Sequence, residues 1–391
     1  MNAFLLGVNY WPRRSAMYMW KRFDVAEIRE DMALIASLGM RFVRFFLGWE
    51  DFQPEPDRLD GVMRERLVSF VDAADAAGLT CMPTLFTGHM SGVNWLPEWT
   101  LDPASPATRF RTINERGERP YAIGDFYTGA LFDAQLRFAA AVGSWLRGHP
   151  ALHSWDLGNE FSNLRSPASP ADAASWSKRL TDVLEEASGA AVTGGLHGED
   201  ITEDRAIRLS SICSPWRFAT MHGYAAYSLF ARSPGDAHVV PFLHRLTRTF
   251  AHRDVLFAEV GTPSHDAAGT VPGLTDDAAA EYCKAVIDGL WRGGALGAGW
   301  WCFADYARDL AQLPPFDLAP HELSFGIVRE DGSLKPVAAA LARIAALSRD
   351  VRDVAPPPAM DEDAFYAGLP GTLRRAYVAS CAEEAASRPS R

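Results

Sequence analysis

Eight short apolar runs alternate with longer amphipathic segments between residues 4 and 348, and this alternation narrows the folds that the chain can adopt. The runs cover residues 4–10, 42–47, 80–86, 152–160, 191–198, 218–224, 255–261 and 294–303. Two of the intervening segments, 24–39 and 66–78, carry apolar residues at helical spacing and end in glycine, the usual C-terminal stop of a helix. Strands that alternate with helices predict an α/β fold, and eight of them favour a closed (β/α)8 TIM barrel over an open sheet.

The chain is predicted to form a single domain with a short C-terminal appendage. We assign residues 1–350 to the barrel and residues 351–391 to the appendage, because APPPAM at 355–360 interrupts the helical pattern. No GxGxxG follows the first apolar run, which disfavours a dinucleotide-binding fold. The connection from Thr87 to about Ala130 is long for a loop after a barrel strand, and such loops in compact domains are commonly functional.

Composition excludes several classes of partner. The formal net charge of −11 argues against nucleic acid or an anionic membrane as the main partner. No stretch of about 18 apolar residues predicts a membrane span, and the first residues lack the basic region of a secretory signal. The five cysteines are scattered and form no CxxC pair, so we expect them to be reduced thiols. We therefore expect a cytoplasmic protein. We also expect that it needs no cofactor or metal.

Two of the predicted strands deliver a glutamate at the carboxyl edge, Glu160 in LHSWDLGNE and Glu259 in VLFAEVG. A carboxylate is costly to bury, and barrel enzymes place their catalytic residues at the carboxyl ends of strands. In one barrel the two glutamates face each other across its mouth. Two carboxyls that flank a glycosidic bond can cleave it, one as the proton donor and the other by attacking or stabilising the anomeric carbon. The pair therefore predicts glycoside cleavage.

Other strand ends carry side chains that suit this chemistry. Arg44 can hold an adjacent carboxylate ionised, and the hydroxyl of Tyr224 can orient the nucleophile. Asn159 offers an amide to a sugar hydroxyl, while Trp301 offers an apolar platform to the face of a pyranose ring. Since neighbours on a strand face opposite sides, Trp300 is expected to pack against helices.

The segments WDLGNE (155–160), FAEVG (257–261) and GWWCFADY (299–306) resemble the strand-four, strand-seven and strand-eight signatures of clan A glycoside hydrolases. The arginine in VRF (43–45) and the HGY at 222–224 are most similar to glycoside hydrolase family 5, the cellulase and mannanase group. The resemblance covers residues 4–348. It implies a retaining mechanism with Glu160 as general acid/base and Glu259 as nucleophile. The positions that match the family's surrounding residues are Arg44, His89, Asn159, His222, Tyr224 and Trp301.

We add Trp49, which follows the second strand, as a further candidate for sugar binding, whereas His197 has no counterpart in the resemblance. The missing secretion signal favours small β-linked oligosaccharides or glycosides as substrates, and therefore exo action. The glycone stays open among β-mannoside, β-glucoside and β-galactoside. The alternative within the same class is an endo-acting β-mannanase or β-glucanase.

Two functions from other protein classes are alternatives to a glycosidase. A divalent-metal sugar isomerase or epimerase is also a barrel, and Glu160, His197, His222 and Glu259 can be read as its ligands. The asparagine before Glu160 and the tryptophan platform argue against it. The other reading is a carbohydrate-binding barrel without catalysis, which does not require both glutamates.

Overall fold

The computed structural model describes residues 3–264 and 273–387, and its centre is a barrel of eight parallel strands. The strands are β1 (Leu5–Tyr10), β2 (Phe42–Gly48), β3 (Thr80–Thr87), β4 (Ser154–Asn159), β5 (Ala191–Gly195), β6 (Ala219–His222), β7 (Val255–Gly261) and β8 (Gly297–Trp301). Their order in the sheet is β5-β4-β3-β2-β1-β8-β7-β6. A parallel bridge between His197, two residues beyond β5, and His222, the last residue of β6, joins the two ends of the sheet. The predicted TIM barrel is confirmed.

Helices cover the outside of the barrel. They are α1 (Val25–Ser37), α2 (Gly61–Ala76), α3 (Gly129–Trp145), α4 (Pro170–Ser188), α5 (Val239–Ala251), α6 (Asp276–Arg292), α7 (Pro336–Ala346), α8 (Glu362–Ala367) and α9 (Gly371–Ser387). The side chains of Asp24 and Asp60 each accept two backbone N–H bonds at the starts of α1 and α2. Such capping satisfies donors that a helix start leaves unpaired. It explains why the sequence signals locate these helices.

Between β5 and β6 the expected long helix is replaced by two helices of four residues each, Glu199–Thr202 and Leu209–Ile212. The C-terminal helices α8 and α9 pack against this side. The hydroxyl of Tyr366 donates to the carbonyl of Asp200 over 2.6 Å, and Arg208 pairs with Asp363 at 2.7 Å. The end of the predicted appendage, residues 388–391, lies outside the described residues.

The long connection between β3 and α3 folds into two small sheets. One contains His89–Met90, Val93–Trp95, Arg111–Asn114 and Gly117–Arg119, and the other pairs Leu101–Pro106 with Tyr121–Ile123. Both stand at the carboxyl end of the barrel, because the connection leaves from the end of β3. The sequence signalled the length of this connection but not its strands.

The barrel interior is apolar at one end and polar at the other. Phe42, Met82 and Leu256 belong to a buried apolar cluster inside the strands. Towards the carboxyl ends, Arg44 and Asp156 are both fully buried and pair at 2.7 Å. A buried charge needs a partner, so this polar layer fixes the floor on which the mouth of the barrel is built.

The cysteines of the chain are free, and Cys81, Cys213, Cys283 and Cys302 are buried, as expected for reduced thiols. Among the residues that the structure describes, no helix combines the length and the apolar character needed to cross a membrane.

Candidate active site

Glu160 and Glu259 meet at the mouth of the barrel. A carboxylate oxygen of each and a ring nitrogen of His222 all lie within 4.8 Å of one another. Both side chains are largely shielded, with exposed fractions of 16% for Glu160 and 7% for Glu259. The structure thus brings together the two carboxyls that the sequence singled out.

Glu259 is held by two donors, one on each carboxylate oxygen. Nη1 of Arg44 donates to Oε2 over 2.9 Å, and the hydroxyl of Tyr224 donates to Oε1. Burial, followed by the charge of Glu259, raises the pKa of Tyr224 well above its ordinary value, so the phenol remains a donor. The guanidinium keeps its positive charge near neutral pH, so it and the phenol together fix the orientation of the Glu259 carboxyl group.

Arg44 is wholly buried beneath the mouth, so it positions other side chains and does not line the cavity. Its Nη2 donates to Asp156 over 2.7 Å and to Oδ1 of Asn159 over 2.9 Å, while Nη1 also reaches Oδ1 of Asn9 at 3.0 Å. This placement corrects the expectation that Arg44 binds substrate directly. Its planar fork fixes the nucleophile and the residue before Glu160 at the same time.

Glu160 has a different set of neighbours. Nδ1 of His222 lies 3.2 Å from Oε1, and the amide of Asn163 donates to Oε2 over 3.2 Å. Nε2 of His89 and Nδ1 of His197 are each 3.8 Å from Oε2. Three imidazoles therefore surround the carboxyl that the resemblance assigns as the proton donor.

Burial and the neighbouring histidines have opposite effects on the pKa of Glu160. Burial raises its pKa, but His197, His222 and His89 lower it and prevail, so the pKa lies below its ordinary value. Part of this lowering is coulombic and depends on positive charge on the rings, and part comes from the hydrogen bond with His222. Burial lowers the pKa of His89, which favours the neutral form of that ring. Where the rings are uncharged the coulombic part is lost, so burial, which favours the protonated acid, has more weight.

The backbone at Glu160 is fixed by local geometry. Its φ of 48° lies in the left-handed region, which costs a residue other than glycine about 1 to 2 kcal/mol. The backbone N–H of Glu160 donates to Gly195 on β5 over 3.0 Å. A β-carbon at Gly195 would lie 1.9 Å from the carbonyl oxygen of Gly158, so only glycine allows this approach of β5 to β4. The neighbouring strand thus helps to hold the turn that presents the carboxyl.

A cavity of about 710 Å³ opens above the two glutamates. It is lined by five of the other predicted residues, namely His89, Asn159, His222, Tyr224 and Trp301. It is also lined by residues that the sequence analysis did not assign, among them Phe110, Asn163, His197, Tyr227 and Glu322. Trp300 instead contacts the ring of Tyr282 on α6, as expected from strand alternation.

Trp49 is not brought to this cavity. It is fully buried, its indole N–H donates to Gln53 over 2.8 Å, and its ring packs against Phe86, Trp99 and Phe126. This placement corrects the expectation that Trp49 contacts the sugar. The aromatic residues of the long connection fold over it, and neither Trp95 nor Trp99 lines the cavity.

Glu322 is a third carboxylate in the cavity, and it was missed by the sequence analysis. It is 7% exposed, accepts from Ser91 at 2.9 Å and accepts from the hydroxyl of Tyr227 at 3.3 Å. Burial is the main cause that raises its pKa to about 7. It lies in the short helix Pro320–Ser324, in the segment that follows β8.

Among the described residues, Glu160, His222 and Glu259 form the one group of three or more side chains close enough to hold a metal ion. Both oxygens of Glu259 are already engaged by Arg44 and Tyr224. A guanidinium next to the carboxylate supplies the positive charge that a cation would otherwise provide. The arrangement therefore fits acid and nucleophile chemistry better than metal coordination.

No protein-family model and no curated protein matches the chain, whereas many solved structures do. The exo-β-1,4-mannosidase Op5Man5 from Opitutaceae bacterium strain TAV5 is 27% identical with a TM-score of 0.74, over 88% of this chain and 59% of that one. GH5_18 from Streptomyces cattleya, in complex with GlcNAc, is 26% identical with a TM-score of 0.74, over 91% of this chain and 83% of that one.

A variant of the Streptomyces cattleya protein, in complex with Manβ1-4GlcNAc, is 24% identical with a TM-score of 0.79 and covers 99% of this chain and 92% of that one. It supports the fold through the C-terminal helices as well as the barrel. The chain spans 59% of the length of the Opitutaceae enzyme. These similarities confirm the resemblance to glycoside hydrolases that the sequence signatures indicated.

Proposed function

We propose that the chain, a clan A glycoside hydrolase most like family 5, removes β-linked mannosyl residues from the non-reducing end of small saccharides with retention of configuration. The observation that carries the proposal is the separation of the two carboxyls, whose oxygens approach within 4.8 Å. Retaining enzymes hold the two carboxyls about 5 to 5.5 Å apart, whereas inverting enzymes need about 6.5 to 9.5 Å to admit a water.

The surroundings of the two glutamates support their roles in a double displacement. Glu259, ionised beside Arg44, attacks the anomeric carbon while protonated Glu160 donates its proton to the leaving oxygen. The leaving group departs and a covalent glycosyl-enzyme forms on Glu259. Glu160, now a carboxylate, accepts a proton from water, and that water displaces Glu259 from the sugar. The second step restores both carboxyls.

A bridge of side chains above the site supports exo action. Glu322, from the segment after β8, bonds to Ser91 after β3 and to Tyr227 after β6. All three residues line the cavity, so the bridge ties three rim segments together beside it. A cleft that binds a long polymer has to remain open at both ends. We place the non-reducing sugar against this bridge, on the platform of Trp301.

The proposed sugar follows from the neighbours. Op5Man5 is an exo-β-1,4-mannosidase, and the Streptomyces cattleya structures hold GlcNAc or Manβ1-4GlcNAc. We therefore propose a β-mannoside with a small leaving-group sugar as the substrate. The free, buried cysteines are compatible with a reducing compartment, which supports a cytoplasmic location.

The experiment is a comparison of nitrophenyl β-mannoside, β-glucoside and β-galactoside with Manβ1-4GlcNAc and a β-mannan. The proposal expects mannose to be released from the aryl mannoside and the disaccharide, with little product from the polymer. A preparation of Glu259→Gln, purified in parallel, controls for contaminating hydrolases. Internal cleavage of mannan would favour the endo alternative. Absence of turnover on every glycoside would favour a binding protein, and activity abolished by a chelator would revive the metal-dependent reading.

A further inference from the structure

The C-terminal hairpin consists of α8, α9 and the turn between them, and its turn and the start of α9 contribute part of the cavity wall. Pro370, Leu373 and Arg374 line the cavity together with Leu229 and Phe230 from the segment after β6. We propose that this face of the hairpin is the binding site for the leaving-group sugar and that Arg374 is its specificity-determining residue. The inference rests on the proposed function and assigns the predicted appendage a part in it.

The hairpin is anchored firmly enough to form a wall. Tyr377 on α9 donates to Asp236 over 2.6 Å, and its ring lies 4.9 Å from that of Phe230. Tyr366 on α8 donates to the carbonyl of Asp200 over 2.6 Å. Leu373 lies between these two tyrosines in sequence and is only 5% exposed. These contacts fix the turn between α8 and α9 against the segments that follow β5 and β6.

The position of Glu160 identifies this side as the leaving-group side. A proton donor must face the glycosidic oxygen, so the leaving sugar lies next to Glu160. Ser162, two residues beyond it, donates to Asp200 over 2.6 Å, and Asp200 in turn holds Tyr366 of the hairpin. The bridge through Glu322 joins the segments after β3 and β8, and it reaches the segment after β6 only at Tyr227. The hairpin is thus linked to the turn that carries the acid, and we place the leaving sugar between them.

The chemistry of this wall suits a sugar. Leu229 is fully exposed at the cavity, with an exposed fraction of 102%, and offers an apolar surface to a pyranose face. Arg374 is exposed at the cavity, and no carboxylate pairs with it among residues 3–264 and 273–387. Glu199, an acidic residue that also lines the cavity, is already paired with Arg109 and Arg205. Arg374 therefore has free donors for the hydroxyl or carbonyl oxygens of a leaving sugar.

Arg375 provides a matched control for this residue. It follows Arg374 on the same helix, is likewise exposed, and does not line the cavity. Arg374→Ala and Arg375→Ala remove the same charge and the same side-chain volume from adjacent positions. Both variants should melt within about 2 °C of the wild type, since substitutions at exposed positions without specific contacts change stability little.

The test measures KM and kcat of the wild type, Arg374→Ala and Arg375→Ala. The substrates are a disaccharide and the aryl glycoside of the same glycone, both chosen from the substrate screen. Arg374→Ala should lower kcat/KM on the disaccharide about 10-fold, chiefly through KM, and change the aryl glycoside less than about twofold. Arg375→Ala should leave both substrates unchanged. Equal behaviour of the two variants on both substrates would overturn the inference. Failure of the wild type to cleave any glycoside would instead overturn the proposed function.

Discussion

The two glutamates at the barrel mouth are within 4.8 Å of each other, but their surroundings differ in kind. Glu259 is bound by a guanidinium and a phenol, whereas Glu160 is surrounded by imidazoles and an amide. The charge on Arg44 is permanent near neutral pH, while the charge on a histidine is not. The carboxyl beside the permanent cation therefore suits a nucleophile, whereas the carboxyl among the histidines can gain and lose a proton.

The backbone conformations at the two glutamates also differ. Glu259 lies within β7 and inherits the rigidity of a central strand, with β6 and β8 on either side. Glu160 lies one residue beyond β4, in a left-handed conformation held by β5 and the following turn. Two carboxyls of the same chemical type thus receive different roles from their environments.

Glu259→Ala should have the largest effect. Without the nucleophile neither step of the double displacement proceeds, so kcat on the aryl glycoside should fall by about 10⁴-fold or more. Azide should restore turnover and yield the α-glycosyl azide, because the small anion attacks from the face that Glu259 occupied. A product of β configuration would place the nucleophile elsewhere.

Glu160→Ala should behave differently. An aryl leaving group needs little help from an acid, so the first step should survive while the second slows by about 10² to 10⁴-fold for lack of the base. A burst of nitrophenol should therefore precede slow turnover. Azide should accelerate the slow phase and give the β-glycosyl azide. Identical azide products from both glutamate variants would remove the distinction between the two sites.

Arg44→Lys should weaken the nucleophile while keeping the positive charge. A lysine cannot bond to Glu259, Asp156 and Asn159 at the same time, as the fork of Arg44 does. We expect kcat to fall by about 10²-fold on the aryl glycoside. The melting temperature, measured in parallel, separates this loss from unfolding. Activity close to the wild type would show that charge alone suffices.

His197→Ala should have the smallest effect, and its effect on the pH profile should come through Glu160. Because His197 lowers the pKa of Glu160, its removal raises that pKa. A general acid is lost as pH rises through its pKa, so the alkaline limb of the kcat/KM profile should move to higher pH. His149→Ala is the control, since that ring pairs with Asp72 and does not line the cavity. A shift to lower pH would contradict the assigned direction.

Local patterns predicted the barrel, and they singled out the two glutamates that the structure brings together at its mouth. The predicted run 255–261 coincides with β7, and the run 294–303 contains β8. Strands of this kind are buried on both faces, so their apolar runs stand out in the sequence. Glu160 and Glu259 were visible because each carboxyl breaks the apolar pattern at a strand end.

The rim could not be predicted in the same way, because long-range contacts build it. Glu322 meets Ser91 from 231 positions away, and Tyr366 meets Asp200 from 166 positions away. Trp49 was predicted to lie at the rim because it follows β2, but aromatic side chains of the long connection after β3 cover it. No local periodicity carries information about which loop folds over which.

The central claim is that the chain retains configuration through a nucleophile at Glu259. The direct test is proton NMR of the first sugar released from the aryl β-glycoside that the screen identifies, recorded before mutarotation. The account predicts that the β anomer appears first and the α anomer grows in later. Initial release of the α anomer would mean a single displacement by water and would contradict the role assigned to Glu259.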